Sequence, residues 1–103
     1  SDVRAAEFRE RGITGAFCCD DVSAIQTIGR LREDKMCVPS DFRVVSYGNT
    51  DLARFFTPAI TSVDPHNEEM ARHVAELLES CANGSQIELR QSVVQPDLVI
   101  RDT

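Results

Sequence analysis

Lysine is nearly missing from this sequence: Lys35 is the only one, beside ten scattered arginines. Acidic residues number 17 against 11 basic ones, for a formal net charge of −6 over 103 residues. Gripping a phosphate backbone needs clustered Lys and Arg, so this segment by itself is not a nucleic-acid clamp. No stretch approaches the ~18 consecutive apolar residues of a membrane span. Nothing near Ser1 has the layout of a secretory signal. No methionine opens the chain, and we expect a piece of something longer. The motifs GxSxG, GxxxxGKS and GxGxxG are all missing, which removes the familiar nucleophile-elbow and phosphate-loop signatures. His66 and His73 lie seven apart, the wrong spacing for a helical zinc pair, and read as solvated surface histidines. Asp97 and Arg101 read as an ordinary surface pair.

What remains is a globular composition, 42% apolar and 27% charged. A chain of this length fits one domain with a modest core. Cys18, Cys19, Cys37 and Cys81 form neither a CxxC pair nor a zinc ladder. Cys18 and Cys19 are neighbours, and a bridge between them is strained by disulfide geometry. The four read as small buried apolar side chains of a reduced, cytoplasmic protein.

The hydrophobic pattern predicts alternating helices and strands. Ser1 to Arg11 is a helix stopped by Gly12. Ile13 to Cys19 is a short apolar run, hence a buried strand. Asp20 and Asp21 end it and start a helix with the stripe Ala24, Ile25, Ile28, Leu31. Val38 to Asp41 is a turn, and Phe42 to Tyr47 a second strand. Gly48 to Asp51 is a loop, and Leu52 to Phe56 a helical turn before Pro58. Ile60 to Val63 is a third strand. Asp64-Pro65 has the look of a helix start, with Asp capping and Pro in the first turn. Met70, Ala71, Val74, Leu77, Leu78 and Cys81 then form a long stripe, ended by Asn83-Gly84. Ile87 to Gln95 is extended, and Leu98 to Ile100 is a last strand. The alternation implies a parallel sheet covered on both faces, with the stretch from Pro58 to Pro65 as a hinge.

In an open parallel sheet, ligands bind outside the carboxyl ends of the strands. Two polar loops stand there, Cys19-Asp20-Asp21 and Gly48-Asn49-Thr50-Asp51. Asp20 offers acceptors and Asn49 both donors and acceptors, a mixture suited to a sugar or nucleoside. The bland alternative is that Asp20 or Asp21 caps its helix and Asn49 shapes its turn. A metal cluster at Cys18 to Asp21 fails, because successive strand residues point to opposite faces. A phospho-receiver domain would need an aspartate ending the second strand and a lysine ending the last, and neither is present. No catalytic constellation, metal or cofactor is expected.

Three stretches together resemble the effector-binding domain of LacI/GalR-type transcriptional regulators. They are Gly15-Ala16-Phe17-Cys18-Cys19-Asp20-Asp21 with its following helix, Val38-Pro39-Ser40-Asp41-Phe42 running into Arg43 to Tyr47, and Pro58-Ala59-Ile60-Thr61-Ser62-Val63 running on to Glu68-Glu69-Met70-Ala71-Arg72. The tail from Pro96 to Thr103 is similar to the family's terminal strand. The resemblance implies a periplasmic-binding-protein-like α/β fold of two lobes closing on a small molecule. Residues 1–63 would belong to the carboxy-terminal lobe, a parallel sheet flanked by helices. Residues 64–88 would be a helix and loop of the amino-terminal lobe, and 89–103 a crossover strand and the terminal strand. The implied role is small-molecule sensing, of a sugar or nucleoside, by a repressor-type regulator that touches DNA only through a headpiece outside this chain. The alternative is a transport-type sugar-binding protein of the same fold.

By that resemblance, ligand contacts fall on Cys19, Asp20, Tyr47, Gly48 and Asn49. The family carries an acid at the Gly48 position, and glycine has no side chain for a hydroxyl. His66 stands where the family places a proline. Homodimerisation would use Ile25, Ile28, Leu31, Leu52, Phe55 and Phe56, with no membrane partner. With neighbouring strands missing, the chain alone is expected to self-associate, for instance by exchanging the helix after Pro65.

Overall fold

The computed structural model describes residues 5–84 and 93–103. Its elements are α1 (Ala5–Arg11), β1 (Gly15–Phe17), α2 (Asp21–Glu33), β2 (Arg43–Tyr47), α3 (Asp51–Phe55), β3 (Thr61–Asp64), α4 (Asn67–Ala82) and β4 (Asp97–Val99). The expected capping by Ser1 or Asp2 and the extended run from Ile87 fall mostly or wholly outside the described residues. Residues 93–96 carry no regular structure.

The four strands form one sheet in sequence order. β1 pairs parallel with β2, and β2 with β3. β4 runs antiparallel to β3, so the sheet is mixed where an all-parallel one was expected. The tail explains the reversal. Thr103 Oγ1 donates to the Val44 carbonyl, and the Arg101 amide donates to Thr61 Oγ1, which ties the returning chain to the starts of β2 and β3.

Strand parity decides what is sealed. Ala16, Val44, Ser46 and Ser62 share one face through the register Ala16↔Val44 and Ser46↔Ser62. α2 lies over that face with Ala24, Ile28 and Leu31 fully buried against Val44, Phe42 and Ile60. The other parity is only partly covered: Phe17, Tyr47 and Leu98 are 64%, 42% and 55% exposed, Val45 and Val63 are half-buried, and Thr61 is buried. The expectation of a sheet covered on both faces is therefore corrected for the described residues, and β1 lies at an edge. α1 is fastened by Phe8, whose ring stacks on Phe42 at a centroid distance of 5.1 Å.

α4 begins at Asn67, two residues later than the Asp64-Pro65 signal predicts. His66 precedes it in the left-handed region (φ 55°), and Asp64 Oδ1 accepts the His66 amide instead of capping the helix. None of the residues of α4 is buried, and Met70, Val74, Leu77 and Leu78 expose its apolar stripe. This arm explains a radius of gyration of 18.5 Å, against about 13 Å for a compact domain of this length. Among the described residues, no helix is long and apolar enough to cross a membrane.

All four cysteines are free thiols, and only Cys18 is buried. The reading of the set as buried apolar side chains is thus corrected for Cys19, Cys37 and Cys81. Burial pushes the Cys18 thiol upward from its ordinary pKa, which leaves it protonated and inert.

Candidate functional site

The carboxyl ends of β1 and β2 lie side by side, as the strand-end rule for α/β sheets requires. Each predicted residue has a definite place there. Asp20 is the N-cap of α2, and its Oδ1 accepts the Ser23 amide at 2.7 Å. Those hydrogen bonds to Ser23 hold its exposed carboxyl below the ordinary range. Cys19 is exposed beside it, its sulfur 3.6 Å from Ser23 Oγ. Tyr47 ends β2 and is exposed. Gly48 turns the chain with φ 128°, a region that favours glycine. An added Cβ there would stand 3.7 Å from Asp21 Oδ2. We expect Gly48→Asp to lose about 1–3 kcal/mol of stability from backbone strain. Urea denaturation beside the parent chain measures it.

Asn49 is at the mouth but its side chain faces the sheet. Its Nδ2 donates to Asp64 Oδ2 at 3.1 Å, and its Oδ1 accepts from the Arg101 guanidinium. Arg101 also donates to the Ile60 carbonyl at 2.7 Å. So Arg101 is not half of a surface pair with Asp97. It locks the mouth loop to the end of the chain. Asn49 stands at φ 49°, which asparagine tolerates better than most residues. Asp20, Cys19 and Tyr47 are the exposed side chains at these strand ends, and Asp20 and Cys19 each also meet Ser23.

Sequence reasoning missed the part that holds this mouth together. Asp21, the first residue of α2, is 2% exposed. Its Oδ1 accepts from the Ser46 and Ser62 hydroxyls, and its Oδ2 from the Thr50 amide at 2.7 Å and the Thr50 hydroxyl at 2.6 Å. Each serine has a single hydroxyl proton. With both aimed at Asp21, Ser62 Oγ is left to accept the Asn49 amide at 2.9 Å. Among the described residues no buried polar side-chain atom lacks a partner. Burial pushes the Asp21 carboxyl up, but the hydrogen bonds from Ser46, Thr50 and Ser62 outweigh it and hold the group below the ordinary range. Its place in the first turn of α2 works the same way, because the helix amino end favours an anion. The available signal was parity: Phe42, Val44 and Ser46 alternate toward the core, and a serine on that side needs a buried acceptor.

On the predicted dimer surface, Ile28 and Leu31 are fully buried in the chain's own core. Neither is available to a partner, which corrects that part of the expectation. Ile25, Leu52, Phe55 and Phe56, with Asp51, line a shallow apolar cleft between α2 and α3 instead. Phe55 is the most open of them at 74%. No group of three or more His, Cys, Asp or Glu among the described residues is placed to hold a metal ion.

Comparison with known proteins places this architecture. Residues 2–103 match the family described as periplasmic binding protein-like domain. The HTH-type transcriptional repressor PurR of Vibrio campbellii is 30% identical over 94 residues, which are 91% of this chain and 28% of that protein. The solved complex of the transcriptional regulator CelR with cellobiose is 29% identical, with a TM-score of 0.84, over 91% of this chain and 29% of that one. A periplasmic binding protein/LacI transcriptional regulator from Alkaliphilus metalliredigens covers all of this chain, and 38% of its own, with a TM-score of 0.86. At 19% identity it speaks for the fold alone. The chain spans under a third of the curated repressor it matches. It belongs to the periplasmic binding protein-like domain family.

Proposed function

We propose that this chain is the greater part of the carboxy-terminal lobe of a regulator's effector-binding domain. Residues 1–63 form the lobe, 64–88 reach into a second lobe, and 89–103 return from it. A small polar molecule of the sugar or nucleoside class binds outside β1 and β2, between Cys19, Asp20 and Tyr47. The lobes close on it about the strands that lead to α4, and closure changes operator binding. One observation carries the reading: Cys19, Asp20 and Tyr47 stand exposed at the carboxyl ends of two parallel strands, beside a loop braced through Asn49 to Asp64 on β3, which leads to α4, and to Arg101 beyond β4. The module binds, and performs no reaction. DNA contact belongs to a separate headpiece, consistent with the net charge of −6. The regulator names of the relatives favour this over a transport-type binding protein.

The test restores the missing lobe. A chimera carries this chain in place of the 94 matching residues of the Vibrio campbellii repressor. Calorimetric titration with a panel of sugars, nucleosides and nucleobases should find at least one ligand. A folded chimera that binds none of them contradicts the reading.

The cleft of Ile25, Leu52, Phe55 and Phe56 is the homodimer surface in this proposal. Phe55→Glu should weaken dimerisation by ~30-fold, the scale of an aromatic hot spot of about 2 kcal/mol. Sedimentation equilibrium of the chimera and its variant reads this directly.

A further inference from the structure

β3 and β4 carry two carboxylates in register, Asp64 opposite Asp97, on the last pair before the chain departs for α4. Like charges directly opposite on antiparallel strands repel. His66 stands between them. Its Nε2 is 2.7 Å from Asp97 Oδ2, its Nδ1 is 4.0 Å from Asp64 Oδ1, and its own amide donates to Asp64. Its left-handed backbone turns the ring back over the strand pair instead of along α4. The sequence reading of His66 as a solvated surface residue is therefore corrected: it is one-third exposed and has two acidic partners.

We propose that His66 is a proton-operated clasp at the junction of the sheet with α4. As imidazolium it bridges Asp64 and Asp97 and holds β3 to β4. As neutral imidazole it keeps one hydrogen bond to Asp97, and the two carboxylates are left to repel. The charged groups facing the ring are Asp64 from β3, Asp97 from β4 and Glu69 from α4. Arg101, beyond β4, faces Asp64 from the other side and offsets part of its charge in both states. The hydrogen bond to Asp97, with the acids around it, raises the His66 pKa above its ordinary 6.5. For a raised histidine the stabilisation is complete below the unfolded value and is lost as pH rises through the folded one. The clasp thus tightens in acid and loosens as pH rises past 6.5 through the raised pKa of the folded chain. It concerns the junction alone and does not depend on what the mouth binds.

NMR titration of the whole chain follows the His66 ring while amide exchange follows the β3–β4 pair, corrected for intrinsic pH dependence. His66 should titrate above 6.5, and Asp97→Asn should lower it. Each pKa unit of elevation corresponds to a change of about tenfold in the opening of the strand pair. That loss of protection on raising the pH should be absent in His66→Gln. An unshifted His66, or a His66→Gln chain with the parent's pH profile, overturns the proposal. Asp97→Asn leaves the histidine in place, so it reads the clasp even if His66→Gln folds poorly.

Discussion

Phe42→Ala should destabilise the chain by about 3–5 kcal/mol, the usual cost of deleting a buried aromatic ring. Phe42 is fully buried, and its ring is the surface on which Phe8 stacks. Two losses follow from one substitution: a cavity beneath α2, and the anchor of α1. Amide exchange should show α1 released before the β2–β3 pair loosens. Leu78→Ala provides the contrast, since Leu78 is 64% exposed on the arm. Its cost in this chain should stay within about 0.5 kcal/mol. Urea melts of the two variants beside the parent separate the cases, and equal costs would mean that α4 is packed in solution.

Asp21→Ala should cost about 3 kcal/mol at neutral pH, because it removes one charged acceptor from four donors. Ser46 and Ser62 lie 2.9 Å apart and can rebond to each other, whereas the Thr50 amide loses its partner. The loop of Gly48 and Asn49 then has a weaker seat. The pH dependence has a definite sign. The Asp21 pKa is lower in the folded chain than its ordinary 3.8, so its stabilisation is present above that value. It is lost as pH falls through the folded pKa. The gap in stability between Asp21→Ala and the parent should accordingly narrow in acid. A gap that stays constant from pH 7 to about pH 3 would mean that the charge of Asp21 contributes nothing.

The fold was readable wherever one local pattern decided it. The α2 stripe and the Phe42 to Tyr47 run appear where periodicity places them. The reversal of β4 was not readable, because strand direction there is set by the Thr103 and Arg101 contacts some 40 residues away in sequence from β3. The start of α4 was misplaced for a similar reason. Asp64 has a capping residue's chemistry, but its oxygens are engaged by the His66 amide and by Asn49. At the mouth, the family resemblance pointed to Cys19, Asp20, Tyr47, Gly48 and Asn49, which stand at or just beyond the carboxyl ends of β1 and β2. Spacing could not show that Asn49 faces inward, since its partners, Asp64 and Arg101, are distant in sequence. Nor did local pattern reveal Asp21 as the buried centre. The pair Asp20-Asp21 looks symmetrical in sequence, and only the packing of α2 on the sheet sends one carboxylate to solvent and the other beneath the loop.

We propose that an effector bound at the mouth beside Tyr47 changes DNA binding by the whole regulator. Operator affinity of the chimera, measured with and without the ligand found by titration, tests it most directly. Allosteric coupling of ordinary size predicts a change of about 5- to 150-fold. Tyr47→Ala should reduce that change while leaving effector-free operator binding as it was. An operator affinity that ignores the bound ligand, or a full response in the Tyr47→Ala chimera, would contradict the account.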